Sequence, residues 1–119
     1  MITVEDRRIA DVEPHVYLPI TEGETYKAGE ALTMGAKATK CAVDAKPDYI
    51  CAGEAKGGKV PAAAVMPSTR YCIDYTAKPS IGDKVQLSAD GMNITATTGG
   101  AFKVFSVDEG KQKATGYFE

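Results

Sequence analysis

An all-β fold is predicted for this chain: a small β-barrel or β-sandwich-like body with an extended N-terminal arm. Two observations carry that reading. From residue 24 onward, short runs of Val, Ile, Thr, Tyr and Phe are broken at close intervals by Gly, Pro and Asp-Gly, the rhythm of many short strands joined by turns. Helix signals are thin by contrast. The one helix-tolerant stretch, Ala62-Ala63-Ala64-Val65-Met66, lies between Pro61 and Pro67 and is too short to stand as a helix without strong packing, so it reads as a strand. A chain of 119 residues buries roughly two thirds of its unfolded surface, enough for a single core without metal or disulfide staples.

Residues 1–23 are assigned to the arm and 24–119 to one β-rich domain. Glu5, Asp6, Arg7 and Arg8 form a charged patch, Asp11 and Glu13 follow, and Pro14 and Pro19 flank the apolar run Val16-Tyr17-Leu18. Each Pro removes a ladder donor, which disfavours a central strand. Val16, Tyr17, Leu18 and Ile20 are nevertheless too apolar for a tail that never meets a surface. They are the candidate partner-binding residues, docking on the chain's own domain, a sister subunit or a larger partner.

Within the body, Lys84-Val85-Gln86-Leu87-Ser88 and Asn93-Ile94-Thr95-Ala96-Thr97 alternate polar and apolar residues around Asp90-Gly91, a strong signal for a hairpin with a two-residue turn. Val85, Leu87, Ile94 and Ala96 are expected to face the core. Gly29-Glu30-Ala31-Leu32-Thr33-Met34 echoes Gly82-Asp83-Lys84-Val85-Gln86-Leu87, and each is followed by a Gly-containing turn and a Thr-rich run. The echo proposes two similar hairpins. Gly-acid before alternating apolars is a common way to begin a strand, so it is read as strand-start chemistry and not as a functional repeat.

Tyr49-Ile50-Cys51-Ala52 follows the turn-like Ala45-Lys46-Pro47-Asp48. In Tyr71-Cys72-Ile73-Asp74-Tyr75 the two Tyr and Ile73 share one face, expected at a core edge with wet hydroxyls. The closing strands are Phe102-Lys103-Val104-Phe105-Ser106-Val107 and Thr115-Gly116-Tyr117-Phe118, around Asp108-Glu109-Gly110-Lys111. Lys103 between apolar neighbours marks a face partly open to water or to a subunit.

Composition excludes several function classes. Fourteen Lys plus Arg against 16 Asp plus Glu nearly cancel, and no window clusters basic residues with aromatics, so no nucleic-acid partner is expected. No stretch approaches the roughly 18 apolar residues of a membrane span, and residues 1–8 lack the basic-then-apolar order of a secretory signal. No membrane partner is expected, and synthesis in a cytoplasm is. Cys41, Cys51 and Cys72 are odd in number without a C-x-x-C pair, which reads as free buried thiols. Asp44 and Asp48 read as turn residues, not calcium ligands. His15 is the only imidazole, and no hydrolase, metalloprotease, phosphate-loop or calcium-loop motif appears. No catalytic residue, cofactor or metal site is therefore assigned.

The ordered series Tyr17-Leu18-Pro19-Ile20, Thr25-Tyr26-Lys27-Ala28-Gly29-Glu30-Ala31-Leu32, Thr39-Lys40-Cys41, Pro47-Asp48-Tyr49-Ile50-Cys51, Val60-Pro61-Ala62 and Ile81-Gly82-Asp83-Lys84-Val85, with Asp90-Gly91 and Thr95-Ala96-Thr97, resembles small head proteins of tailed phages and prophages. These are similar to lambda-type head decoration proteins. The resemblance implies a β-rich virion protein that binds the major capsid protein on the outside of the expanded capsid, as a homotrimer, and reinforces the head. It also implies an N-terminal arm that orders on contact with the shell. No capsid-contact residue is carried over. The alternatives are a tail- or fibre-associated subunit or a carbohydrate-binding module, which the absence of Trp disfavours, and an enzyme using a Cys nucleophile with His15 as base, which no spacing supports.

Overall fold

Alternating apolar residues pin each strand to a buried face, and turn residues end it after three to seven residues in most cases. The computed structural model describes residues 1–5, 7–11 and 15–119; Asp6, Glu13 and Pro14 of the expected arm lie outside the described residues. The strands are β1 (Ile2–Val4), β2 (Arg7–Arg8), β3 (Val16–Pro19), β4 (Ala31–Met34), β5 (Ala38–Lys40), β6 (Tyr49–Cys51) and β7 (Lys59–Ala64). They continue with β8 (Tyr71–Asp74), β9 (Lys84–Leu87), β10 (Ile94–Thr98), β11 (Phe102–Asp108) and β12 (Lys113–Phe118), and a 3-10 turn spans Ile9–Asp11. The fold is all-β, with two packed antiparallel sheets in a sandwich-like body. Their strand orders are β3-β7-β6-β4-β5 and β10-β9-β11-β12-β8-β1-β2.

Read from β8, the larger sheet runs β8-β12-β11-β9-β10, the same path that β3-β7-β6-β4-β5 traces in the smaller one. The register agrees outside two bulges of the second repeat, in β10 and β11. Val16–Ala62 and Leu18–Val60 correspond to Tyr71–Gly116 and Ile73–Ala114, and Ala31–Ile50 corresponds to Lys84–Lys103. Each five-stranded unit is drawn toward closure by one parallel bridge, Ile20–Ala38 in the first and Tyr75–Ile94 in the second. The backbone bonds outside the ladders repeat as well. Gly29 N–H donates to Cys51 O at 2.8 Å and Gly82 N–H to Val104 O at 2.9 Å, while Cys51 N–H reaches Glu30 O at 2.8 Å and Val104 N–H reaches Asp83 O at 2.9 Å. Gly29 and Gly82 hold φ of 83° and 93°, a left-handed conformation that Gly adopts without a Cβ penalty. The short echo in the sequence is thus one segment of a topological repeat spanning most of the chain.

Two apolar clusters, not the single core expected, lie on opposite faces of the smaller sheet. Leu18, Leu32, Ala38, Cys51, Val60 and Ala62 point into the curl of the first repeat, with Tyr26 from the β3–β4 loop set among them. Ala31, Ile50 and Ala52 point the other way, into a cluster shared with Ile2, Ile9 and the interior of the second repeat. That interior is built on Phe118, whose ring lies 5.2 Å from Phe102 edge-on and 5.3 Å from Tyr71.

The expected division at residue 24 does not separate an arm from the body. β1 pairs with β8 and buries Ile2 completely, and β3 pairs with β7. Of the docking surfaces weighed for this segment, the chain's own domain is the one occupied. Pro19 is accommodated because it ends an edge strand, where the missing donor faces no obligatory partner. The β9–β10 hairpin also departs from expectation. Asp90-Gly91 is not a two-residue turn: Gly91 alone has positive φ, and Gly91 N–H donates to Ser88 O across a longer loop closed by Ser88 N–H to Asn93 O. Ile94 stays opposite Leu87, but Thr98 lies opposite Val85, so β10 carries extra residues as a bulge. The bulge turns Ala96 out to solvent. Tyr71 and Ile73 of β8 are buried and Tyr75, just past it, is half-buried; the expected wet hydroxyl fails at Tyr71, which is 2% exposed and accepts from Met66 N–H, and Cys72 is buried too.

Candidate functional site

β3 presents the candidate partner-binding residues on an edge. Leu18 is buried and Ile20 half-buried, both on the interior side of the first repeat, whereas Val16 is 40% and Tyr17 66% exposed. Tyr17 and Pro61 are neighbours across the β3–β7 ladder and, with Glu54, Lys56 and Lys59, line a shallow cavity of about 410 Å³. The sequence reading grouped four residues; the fold divides them into two that pack and two that are exposed.

A second exposed surface lies on the outer face of β11 and β12. Phe105 is 50% exposed, and its ring meets Tyr117 edge-on at 6.1 Å. The Arg70 guanidinium lies 4.4 Å over the Phe105 ring centre, and Arg70 Nε donates to the Tyr117 hydroxyl at 3.1 Å. One long cation is thereby held across two rings, a contact worth about 0.5–1 kcal/mol at an exposed site. Its counterpart in the first repeat is informative. Lys103 corresponds to Ile50 and Tyr117 to Ala63, whose first-repeat face is packed into the shared core; Phe105 is the extra residue of a bulge between Val104 and Ser106 and has no counterpart there. The second repeat leaves the corresponding face open and furnishes it with aromatics and Arg. Sequence reasoning found Lys103 as the marker of an open face; extending the alternation two residues to Phe105 would have found the cluster.

The remaining chemistry-bearing groups are buried or bonded to neighbours. Cys41, Cys51 and Cys72 are buried, and none is joined in a disulfide. Burial, reinforced by the Asp48 and Asp44 charges, pushes the Cys41 thiol up to about 11. Burial likewise pushes Cys51 up to about 11, against the opposing effect of its bond to Gly53. Neither supplies a thiolate near neutral pH. His15 Nε2 lies 2.8 Å from Ile9 O, bracing the 3-10 turn. Glu30, almost fully buried, holds Lys40 Nζ at 3.0 Å. The hydrogen bond and charge of Glu30 raise the Lys40 ammonium above its ordinary value. No family model matches the chain, and neither a curated protein nor a solved structure is found to resemble it.

Proposed function

We propose that this protein is a phage head decoration protein: a non-enzymatic virion component that binds the major capsid protein on the outer surface of the head, as a homotrimer, and stabilises the shell. The observation that carries the reading is the Arg70–Phe105–Tyr117 cluster, an exposed aromatic surface braced by a cation on a face whose first-repeat counterpart is buried. Arg and aromatic residues of this kind dominate the binding energy of protein interfaces. The ordered series of strand and turn residues that resembles lambda-type head proteins supplies the identity of the partner. Stabilisation then follows from mass action, because a protein that binds the expanded shell in preference to its disrupted form shifts the balance toward the intact head.

Mixing the purified protein with expanded, undecorated capsids tests this directly. Saturable occupancy and raised resistance to heat or chelator are expected, with apparent affinity reduced at least tenfold by Phe105→Ala, in line with the about 1.4 kcal/mol that a tenfold change represents. No binding to any capsid state overturns the reading. A carbohydrate-binding role has the same exposed rings in its favour, but Arg70 already covers the Phe105 face on which a sugar would stack. A glycan-array hit with saturable solution binding would promote it.

A further inference from the structure

The topological repeat has one asymmetry at its edges. In the second repeat, the outer edge of β8 is covered by β1, antiparallel, with Ile2 opposite Ile73, Thr3 opposite Cys72 and Val4 opposite Tyr71. In the first repeat the corresponding strand, β3, pairs with β7 alone among the described residues. The corresponding residues are Leu18, Tyr17 and Val16. Thr3 Oγ1 donates to Cys72 O, and Ile2 N–H turns away from β8 to Gly29 O, so the peptide groups of Cys72 face β1. Tyr17, in the same place, turns its N–H and C=O to the open edge.

We propose that this edge is an interface between two copies of the chain, formed by antiparallel pairing of β3 with β3 about a two-fold axis at Tyr17. Three features select a second copy as the occupant. The β1–β8 pairing shows that the equivalent edge of the second repeat takes an antiparallel strand over three residues, Ile2-Thr3-Val4, whose outer residues are apolar. Val16-Tyr17-Leu18 likewise sets two aliphatic residues on either side of an exposed one, and a two-fold centred on Tyr17 sets Val16 opposite Leu18 of the other copy on both sides, using the same window. Residues 16–20 carry no charge, so the two strands meet without like charges directly opposite, and the exposed Tyr17 rings become a cross-strand aromatic pair. An unpaired edge strand is a ready template for its own copy, and the isologous geometry closes at two without open-ended growth. The proposal goes beyond shell binding, which is assigned to the opposite repeat's Arg70–Phe105–Tyr117 face.

Sedimentation and light scattering from about 10 μM to 1 mM test it together with two variants. The wild type should form even-numbered species, a dimer or a hexamer if threefold contacts also form. Tyr17→Pro removes the outward N–H while leaving the β7 side paired, and should weaken the association at least tenfold with an unchanged circular dichroism spectrum. Tyr17→Cys should cross-link to a dimer under mild oxidation, well above Thr97→Cys at an exposed position elsewhere; the native thiols are buried and supply little background. A wild type that stays monomeric or purely trimeric throughout overturns the proposal, as does an even-numbered species indifferent to Tyr17→Pro. A Tyr17 amide that gains exchange protection only on capsids assigns the edge to the shell and overturns the second-copy occupant.

Discussion

The first and second repeats share one chain path and fill it differently. Where the second repeat places Tyr71, Phe102 and Phe118, the first has Val16, Tyr49 and Ala64 at the corresponding register positions. The second therefore closes on a trio of aromatic rings from its own strands. In the first, Val16 and Ala64 are exposed and Tyr49 half-buried at those positions, and the aliphatic interior is completed by Tyr26 from a loop, whose hydroxyl donates to Ala38 O at 2.6 Å and accepts from Thr21 N–H at 2.9 Å. A topology set by turns and register thus accepts two interior solutions: rings carried on the strands, or aliphatic strand residues with a ring borrowed from a loop.

Breaking the comparison should cost most at the ring trio. Phe118→Ala removes a fully buried ring where the first repeat has the exposed Ala64, and leaves a cavity between Phe102 and Tyr71; a loss of about 3–5 kcal/mol is expected from the shift in denaturant midpoint at constant slope. A reciprocal exchange sharpens the contrast. Gly116 and Ala62 occupy corresponding positions, yet a Cβ at Gly116 would lie 2.0 Å from Lys103 O. Gly116→Ala should destabilise by about 1–3 kcal/mol through backbone displacement, whereas Ala62→Gly should lose about 0.5–1 kcal/mol, chiefly chain entropy and a methyl contact. Equal losses would mean that the register match hides no local difference.

The smallest effect is tied to pH and to the β9–β10 loop, the longer counterpart of the β4–β5 turn. The Ser88 hydroxyl first, and the Met92 N–H second, hold the Asp90 carboxyl below its ordinary 3.8. Because the folded value is the lower one, the contribution is present above pH 3.8 and is lost as pH falls through the folded value. Asp90→Ala should therefore lower the midpoint at pH 6 and leave it at the wild-type value near pH 2. A difference that persists at low pH would trace to the loop backbone instead of the carboxylate.

Much of this architecture was legible in the sequence because strand patterns are local. The alternation in Lys84-Val85-Gln86-Leu87 and the paired closing strands at 102–107 and 115–118 appear where expected. What the sequence hid was set at long range. Val16-Tyr17-Leu18 between prolines looks like an arm until β7 provides a ladder on one side only, and Ala96 looks like a core residue until the bulge turns it out. The repeat was visible in one six-residue echo and nowhere else, since Phe118 against Ala64 or Lys103 against Ile50 share a backbone address and no chemistry. The Arg70 cluster joins residues from three strands' ends and surfaces, and only the fold brings them together.

The placement of β1 has a consequence for how the chain emerges during synthesis. β1 precedes the first repeat but belongs to the sheet of the second, and the Thr3–Cys72 bond spans 69 positions. The ribosome therefore delivers the whole first unit before the strand that must receive β1 exists. The first unit can curl shut on local contacts while Ile2-Thr3-Val4 waits unpaired, and the capture of β1 by β8 becomes the late, slow loop closure that locks the two units into one cooperative body.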